Sequence, residues 1–290
     1  MSLTLLQKSN FSGFPKAGEL IEVTGAHLLE ASDRALLNTL LQRAHDSGSL
    51  SEIDAEWEVS FAELRQSLSR HESNDRVRAS LDRLGNVRVT VHYQSGDGKP
   101  RTLKTPLLAF TDTDDTDDAS ATLQYSIPKR LRFILARSNR WGRVRCEVAY
   151  AMKSKYAIAL YELVCLRINL QNCIEVFEPE RFRELLGVPP DTYVQFRDFN
   201  RFVVEPALLE VNGLSDYGVQ IEARRRHARA PVHEFAVSWW KKEGDEYRAA
   251  VQERERSKVG RKARLRGELQ TVVVGDRVAA QSPTLPVAPG

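Results

Sequence analysis

Two hydrophobic periods follow one another in the first part of the chain. Three stretches repeat apolar residues every three or four positions, which predicts amphipathic helices. Their apolar positions are Ala35, Leu36, Leu37, Leu40 and Leu41, then Leu64 and Leu68, and then Val77, Leu81 and Leu84. Ser32 or Asp33 is the expected cap of the first helix, and Ser60 with Glu63 has the spacing of a capping box before the second. A turn at residues 71–74 is expected to separate the second helix from the third.

The pattern then changes to strict alternation. Val87, Val89, Val91 and Tyr93 are separated by polar residues, which predicts a strand with one buried face. Residues 95–98 read Ser-Gly-Asp-Gly and predict a hairpin turn, with the return strand at residues 101–110. Three helices followed by a two-stranded hairpin are the elements of a winged helix.

The same order of elements occurs again in the second half of the chain. Helices are predicted at residues 154–168, 179–186 and 198–212, the second of them beginning with Pro179 and stopping at Gly187. A second hairpin pattern consists of Val219 and Ile221, then four arginines, then Phe235, Val237 and Trp239. Pro206 falls inside the third helix and is expected to bend it or break it locally. The predicted fold class is therefore α+β, with two tandem winged-helix domains and a disordered basic C-terminal tail.

These patterns divide the chain into four parts. They are an N-terminal arm at residues 1–19, a first winged-helix domain at 20–150, a second at 151–240 and a flexible charged tail at 241–290. Inside the first domain, a strand is expected at residues 123–127, a short basic helix at 128–136 and a strand at 144–148. The composition of the tail favours disorder, with a helix at residues 247–266 on an acidic partner as the alternative.

The composition fits two domains with buried cores. The chain has 290 residues, of which 42% are hydrophobic and 28% charged. No apolar run approaches the roughly 20 residues that span a membrane, and residues 1–14 lack the pattern of a secretion signal. Cys146, Cys165 and Cys173 have no metal-ligand spacing, so we expect reduced core or near-core thiols, no zinc and no cofactor. These features favour a cytoplasmic protein.

The net charge of +3 is small, but the charge is unevenly distributed. Residues 129–145 hold seven basic side chains, residues 224–229 hold four arginines, and residues 256–266 hold six basic side chains, with no acid in any of these runs. A phosphate-contacting surface needs such clusters, because each neutralised phosphate releases condensed counterions. A solvated face is the alternative for each run, although acids would then be expected among the bases.

Two enzyme motifs are missing from the sequence. It contains no G-x-x-x-x-G-K-[ST] loop for ATP. None of the six histidines forms the His-x-His pair with which a rolling-circle nickase holds a metal. The acidic run at residues 112–118 is interpreted as a flexible loop next to the first wing and not as a cation site. Tyr156 and Tyr161 lie on a packed helix stripe, so we predict that the chain is not an enzyme.

Two motifs in the second segment point to a family. Residues 154–163 read S-K-Y-A-I-A-L-Y-E-L, and residues 198–212 read D-F-N-R-F-V-V-E-P-A-L-L-E-V-N. They resemble the iteron-binding plasmid replication initiators, whose second winged helix carries S-x-Y-A-x-x-L-Y-E-L and then D-F-x-x-x-V-x-x-P-A-L-x-E-I-N. The resemblance is closest over residues 153–240, diffuse over residues 20–150 and absent after residue 240.

This resemblance implies a pair of winged helices that bind direct repeats at a plasmid origin as a monomer. It also implies dimers that bind an inverted repeat at their own promoter and repress it, with the first domain supplying backbone contacts and the dimer interface. The expected partners are double-stranded DNA, the host initiator and replicative helicase, and a second copy of the chain, with no membrane. The expected location is the bacterial cytoplasm.

The third helix of the second domain holds the candidates for reading bases, because that helix normally enters the major groove. A helical wheel with Phe199 inward also places Phe202, Val203 and Pro206 inward, Arg197, Arg201 and Val204 outward, and Asn200 at the margin. Arginine can pair with guanine through two hydrogen bonds and asparagine suits adenine, so Arg197, Asn200 and Arg201 are the base-contact candidates. Alternatively, Arg201 simply pairs with Glu205 one turn further on.

Other basic residues are candidates for backbone contacts. The three groups are Arg224, Arg225 and Arg226 in the predicted second wing, Lys129, Arg130 and Arg132 at the start of the basic helix, and Arg76 and Arg83 on the third helix of the first domain. The wing and the basic helix are expected to hold phosphates. Asp82 lies beside the two arginines of the first domain, a mixture that makes base reading less convincing there.

Three hypotheses about function follow from the sequence. The leading one is an origin-binding initiator that melts or bends repeated sites and recruits the replication machinery of the host. The second is a winged-helix transcriptional repressor, which would protect one inverted repeat instead of several direct repeats. The third is a protein-interaction module, which would be favoured if DNA binding did not weaken with salt.

Overall fold

The computed structural model describes residues 13–68, 73–114 and 120–268. The first half of the chain contains, in order, β1 (Phe14–Ala17), α1 (Gly18–Ile21), α2 (Ala31–Asp46), β2 (Trp57–Ser60), α3 (Phe61–Leu68), α4 (Asn74–Asn86), β3 (Arg88–Gln94), β4 (Pro100–Pro106), β5 (Phe110–Thr113), β6 (Thr122–Ser126), α5 (Lys129–Arg137), β7 (Trp141–Val144) and α6 (Cys146–Ala151). The second half contains α7 (Lys155–Arg167), β8 (Ile174–Phe177), α8 (Pro179–Leu186), α9 (Phe196–Phe199), a π-helical turn (Asn200–Val204), α10 (Glu205–Leu214), β9 (Tyr217–Arg225), β10 (Val232–Lys241), α11 (Gly244–Glu255) and α12 (Arg261–Leu265). No helix in the described part of the chain is long and apolar enough to cross a membrane.

The helices of the first domain begin where polar side chains satisfy their free backbone N–H groups. Glu30 caps α2, and the Glu30 N–H donates to the Asp33 carboxylate at 2.8 Å, so the predicted cap at Ser32 or Asp33 was two or three residues late. The Ser60 Oγ accepts the Glu63 N–H at 3.2 Å, as the capping-box spacing predicted. Ser73 caps α4, whose buried face contains Val77, Leu81 and Leu84, as predicted. The predicted turn before α4 lies mostly outside the described residues.

The first hairpin is shorter than predicted. β3 and β4 pair in antiparallel register from Arg88–Pro106 to Gln94–Pro100. Pro106 has no N–H with which to continue the ladder, and Leu107 and Leu108 are both buried, which an alternating strand does not allow. The predicted single strand at 101–110 is therefore wrong: β5 leaves the hairpin and joins a second sheet in the order β2-β6-β5.

The region before the second domain also departs from the prediction. The strand at 123–127 and the basic helix at 128–136 are confirmed by β6 and α5. The strand expected at 144–148 ends at Val144, because residues 146, 148, 149 and 151 all turn inward on α6. β7 pairs with β1, so residues 14–17 of the predicted arm are part of the folded domain. Residues 1–12 lie outside the described residues.

The second domain follows the predicted plan. Ser154 caps α7, α8 starts with Pro179, and the chain leaves α8 at Gly187 in the left-handed conformation with φ 72°. A three-stranded sheet in the order β8-β10-β9 follows, in which β9 and β10 form the wing. The structure therefore contains two tandem winged-helix domains.

The three cysteines are free thiols. Cys146 and Cys165 are buried, as predicted, and burial raises the pKa of both thiols. Cys173 is exposed in the loop before β8, which corrects the expectation that all three belong to the core.

Helix α7 lies between the two domains. Every side chain from Ala157 to Arg167 is buried, which is typical of a helix surrounded by protein on all sides. It packs against α2 and β7 of the first domain and against α8 and α10 of the second. The two domains thus share one hydrophobic cluster, with α7 at its centre.

A buried ionic network crosses this helix. The Lys16 Nζ on β1 donates to Asn38 Oδ1 on α2 at 2.9 Å and to Glu162 Oε1 on α7 at 2.8 Å, and Asn38 Nδ2 donates to the same Glu162 oxygen at 2.8 Å. Lys16 and Glu162 side chains are only 4% and 3% exposed. Burial lowers the pKa of Lys16 despite the attraction of Glu162. We call these three residues the α7 lock.

The segment after residue 240 is folded as far as residue 268, which corrects the prediction of a flexible tail from 241 onward. Arg254 on α11 donates to the Leu214 carbonyl at 2.6 Å and to Asp216 at 3.0 Å. Arg261 on α12 donates to the Ala151 carbonyl at 2.9 Å. The acidic partners of this segment belong to the chain itself, so no separate partner is needed for the helices. Residues 269–290 lie outside the described residues.

The α7 lock predicts an asymmetric response to substitution. We expect Lys16→Met to lower the free energy of unfolding by about 3–5 kcal/mol, because it leaves the Glu162 carboxylate buried without its cation. The double variant Lys16→Met/Glu162→Gln removes both charges and keeps a partner for Asn38, so it should lose less stability than the single variant. Urea unfolding of the full chain measures both, and a double variant at least as destabilised as the single one would contradict the prediction.

Candidate nucleic-acid interface

The turn between α8 and the third helix of the second domain is held by one arginine. Arg183 donates to the Tyr193 carbonyl at 3.1 Å and to the Thr192 carbonyl, and its guanidinium lies over the Phe199 ring, 4.9 Å from the centroid. Asp191 and Tyr193 have φ values of 58° and 55°, in the left-handed region that non-glycine residues rarely adopt. Arg183 therefore fixes the angle between the two helices of the helix-turn-helix.

The third helix runs through residues 196–214, and we call it the recognition helix. It is not uniform, because α9 and α10 are joined by the π-helical turn Asn200–Val204, where the Glu205 N–H donates to the Asn200 carbonyl five residues back. Pro206 lies in the first turn of α10, where its missing N–H is tolerated. The expected local break at Pro206 thus takes the form of a wider turn just before it.

The π-helical turn changes which side chains face outward. Phe202 is 45% exposed and Val204 is only 3% exposed, the opposite of the helical-wheel prediction. The helical wheel assumed an uninterrupted α-helix. The π-helical turn contains one additional residue, which changes the direction of the side chains after Phe199, while Phe199 and Val203 themselves stay buried. Phe202 was therefore missed as an exposed residue of this helix. Its ring stacks on Tyr193 with centroids 5.3 Å apart.

The three predicted base-contact residues lie on or beside the exposed face of this helix. Arg197 is 84% exposed, with Asp198 at 3.6 Å, and the Arg201 guanidinium lies 5.2 Å from the Phe202 ring centroid. Asn200 is half-buried and its amide donates to Glu205 Oε1 at 2.6 Å. In the described part of the chain Glu205 is bound by Asn200 and forms no ion pair with Arg201, which removes the alternative role for Arg201.

The wing arginines differ from one another. Arg224 lies between Glu234 at 3.1 Å and Glu222 at 3.3 Å, and these hydrogen bonds raise its pKa. Arg225 donates to the Ala230 carbonyl at 3.1 Å and lies over the Phe196 ring, 5.1 Å from the centroid. Phe196 is the first residue of the recognition helix, so the wing contacts the N-terminal end of this helix, where the exposed Arg197 also lies. Arg226 is exposed at the wing tip.

In the first domain, Arg83 has a structural role. Its Nε and Nη2 donate to the two oxygens of Asp33, both at 2.8 Å, and Asp33 is fully buried. This bidentate bond raises the pKa of Arg83. The Arg83 guanidinium is therefore committed to Asp33, although 40% of its side chain is exposed, and Arg76 is the more exposed of the two predicted residues on α4.

The basic helix α5 also separates into two groups. Lys129 and Arg130 are exposed in its first turn, where predicted phosphate clamps should lie. Arg132 is 4% exposed and donates to the carbonyls of Ile53 at 2.6 Å and Glu52 at 2.9 Å. The prediction of Arg132 as a phosphate clamp is therefore wrong, because its charge is used to hold the loop before β2.

The acidic run near the first wing is described only in part. Asp114 accepts the Thr122 N–H at 2.8 Å, and residues 115–119 lie outside the described residues. Among the residues that are described, no group of histidine, cysteine, aspartate and glutamate side chains has the arrangement of a metal site.

The half-buried Glu210 and the buried Lys242 position the recognition helix. Glu210 accepts the Lys153 and Ser154 N–H groups at 2.9 and 3.0 Å, which ties α10 to the start of α7. The Lys242 ammonium donates to the Ser215 carbonyl at 3.0 Å and to the Asn212 carbonyl at the end of α10. Burial lowers the pKa of Lys242 to about 8. Sequence reasoning missed both, because each contact joins residues that are far apart along the chain.

A helix-turn-helix with an exposed, arginine-bearing third helix and a contacting wing defines a winged-helix DNA-binding protein. Family models match both halves of this chain: "Initiator Replication protein, WH1" over residues 15–165 and "Initiator Rep protein, WH2" over residues 178–239. The chain therefore belongs to the initiator Rep protein family, which confirms the resemblance seen in its sequence. Membership gives it a role in the initiation of DNA replication and makes it a DNA-binding protein.

Comparison with solved structures finds a crystal structure of domains 2 and 3 of RctB. The TM-score is 0.45 at 13% sequence identity, over 72% of this chain and 81% of that chain. No curated protein matches the chain by sequence.

The lowered pKa of Lys242 predicts a pH-dependent stability. The Lys242 side chain binds its proton more tightly in the unfolded chain than in the folded one. Stability therefore rises as pH increases from about 8 to 10.5, and below pH 8 the folded state bears the full cost of burying the charged ammonium. We expect the unfolding free energy of the wild type minus that of Lys242→Met to increase by about 1–3 kcal/mol across this window. Urea titrations at several pH values measure the difference, and a constant value would contradict the assigned cause.

Proposed function

We propose that the second winged helix reads repeated sites at a plasmid origin through the exposed face of its recognition helix. The observation that carries this proposal is the placement of Arg197, Arg201 and Phe202 on one rigidly held surface, next to Arg225 of the wing. Arginine can bind guanine with two hydrogen bonds, and an exposed aromatic ring suits the methyl group of thymine. The wing arginines Arg225 and Arg226 then bind the neighbouring phosphates.

The first winged helix has a different task in this proposal. Its exposed basic residues are Arg76 on α4 and Lys129 and Arg130 on α5, which suit backbone contacts. Arg83 and Arg132 are engaged in structural contacts, so few basic side chains of the first domain remain for reading bases. We assign to this domain the clamping of DNA and the contact with a second copy of the chain.

The binding of direct repeats by monomers would mark the origin for the host initiator and the replicative helicase. Dimers would bind an inverted repeat at the promoter and repress the gene of the protein. A transcriptional repressor without a replication role is the alternative, and the same surface would serve it. Both roles place the protein with plasmid DNA in the bacterial cytoplasm.

Arg201→Ala tests the reading surface. We expect the preference for the specific site over random DNA to fall by about 1–3 kcal/mol, because alanine cannot replace the two hydrogen bonds of arginine to a base. The matched control is Arg248→Ala, which removes an exposed arginine on α11 that pairs with Asp245 at 3.2 Å. Competition binding assays at fixed salt measure both variants. An unchanged preference in Arg201→Ala would remove this residue from the reading surface.

Footprinting on the DNA flanking the gene tests the initiator role. We expect protection of several direct repeats in one orientation, and a loss of affinity by at least tenfold between about 50 and 200 mM salt because several phosphates are bound. Protection of a single palindrome alone would favour the repressor. Binding that is insensitive to salt would favour a protein-interaction module.

A further inference from the structure

A groove lies beside the recognition helix, outside the winged helix itself. It has a volume of about 840 Å³ and runs between the outer face of α10 and the short helix α12. Its walls include Arg201, Glu205 and Asn212 on the recognition helix, and Lys262, Leu265 and Arg266 on or next to α12. The WH2 family model ends at residue 239, so one wall of this groove lies beyond the matched region.

Helix α12 is held firmly in place. Arg261 is 6% exposed and donates to the carbonyls of Ala151 and Glu253, both at 2.9 Å. Leu265 packs so closely against Gly213 that a Cβ at position 213 would overlap the Leu265 side chain. The glycine thus permits a direct contact between α12 and the recognition helix.

The basic residues of this segment have separate roles. Arg264 pairs with the Glu253 carboxylate at 2.7 Å, and Arg261 lies 3.5 Å from it. Lys262 is exposed, and its ammonium has no hydrogen bond or ion pair within residues 13–68, 73–114 and 120–268. Arg266 is exposed and contacts only Glu268, at 3.4 Å, in the same part of the chain. The inward bases are neutralised, and the two outward bases face the groove.

The electrostatics of the groove are those of a site for a polyanion. Arg201 extends into it from the recognition helix, and Lys262 and Arg266 extend into it from the opposite wall. Glu205 is the acid among these six residues, and its carboxylate accepts a hydrogen bond from Asn200 at 2.6 Å; the three cations still exceed it by two charges. Cations on both walls of one groove attract a chain of phosphates that runs along it.

We propose that α12 is an additional DNA-binding element, in which Lys262 and Arg266 hold the phosphate backbone of the strand that passes along the recognition helix. The proposal rests on the function proposed above and extends the interface beyond the two winged helices. DNA is favoured over an acidic protein because Arg201 belongs both to this groove and to the reading surface, so a single duplex reaches all three cations. The contribution is independent of sequence, because phosphates carry no base identity.

The double variant Lys262→Ala/Arg266→Ala tests this proposal in the full chain. We expect the slope of log Kd against log salt concentration to decrease by about 1.8, or about 0.9 for each phosphate that the variant no longer neutralises. Affinity should fall by the same factor for the specific site and for random DNA, with the preference between them unchanged. Lys262→Arg/Arg266→Lys should keep the slope of the wild type, because the charges remain.

The matched control is Arg248→Ala/Arg256→Ala, which removes two exposed charges of the same segment outside the groove. Its salt slope should equal that of the wild type. Thermal unfolding monitored by circular dichroism checks that the variants fold.

A wild-type slope in the Lys262→Ala/Arg266→Ala variant would overturn the proposal, and so would a loss confined to the specific site. If polyglutamate binds the wild type and loses affinity for this variant while DNA binding is unaffected, the groove binds an acidic protein instead. Failure of the proposed function is distinguishable, since the wild type itself would then show no preference for its repeats.

Discussion

The arrangement of the whole chain depends on one buried cation and the carboxylate that neutralises it. Lys16 and Glu162 are 146 positions apart, and Asn38 binds the same carboxylate oxygen. Charges removed from water are costly unless their geometry is well matched, so the pair tolerates little displacement of β1, α2 and α7. Because Glu210 ties the start of α7 to the recognition helix, the constraint reaches the proposed reading surface. The two winged helices are therefore held in a defined relation by polar contacts inside a shared apolar core.

Three arginines near the proposed interface make structural contacts within the chain. Arg83 neutralises a buried aspartate, Arg132 holds three backbone carbonyls of a loop, and Arg183 fixes the turn of the helix-turn-helix. A basic run in the sequence therefore contains both structural and exposed cations. The exposed basic residues of the proposed interface lie on the recognition helix, on the second wing and on α4, α5 and α12.

The sequence was sufficient for the elements whose signals are local. The stripe of α4, the cap at Ser60 and the stop at Gly187 were all predicted, because each depends on neighbours within one or two turns. The exit of the chain at Leu107 was missed, since it depends on burial in a core formed by distant residues. The order of residues 244–265 was missed for the same reason: Arg261 and Ala151 are 110 positions apart. Within the recognition helix, Arg197 and Arg201 were placed correctly, and Phe202 was not, because a wheel cannot include an extra residue in one turn.

That extra residue has a consequence for how new specificities could be engineered or could evolve. The residues before Asn200 and those after Val204 are out of phase by the amount that the π-helical turn adds. If only one half of this helix were replaced by the sequence of a relative with an uninterrupted helix, the π-helical turn would be lost. The exposed side chains of the remaining half would then point in a different direction from those of the new half. The proposed reading surface therefore changes as one block that includes Pro206, and single substitutions at exposed positions are the simpler way to alter its specificity.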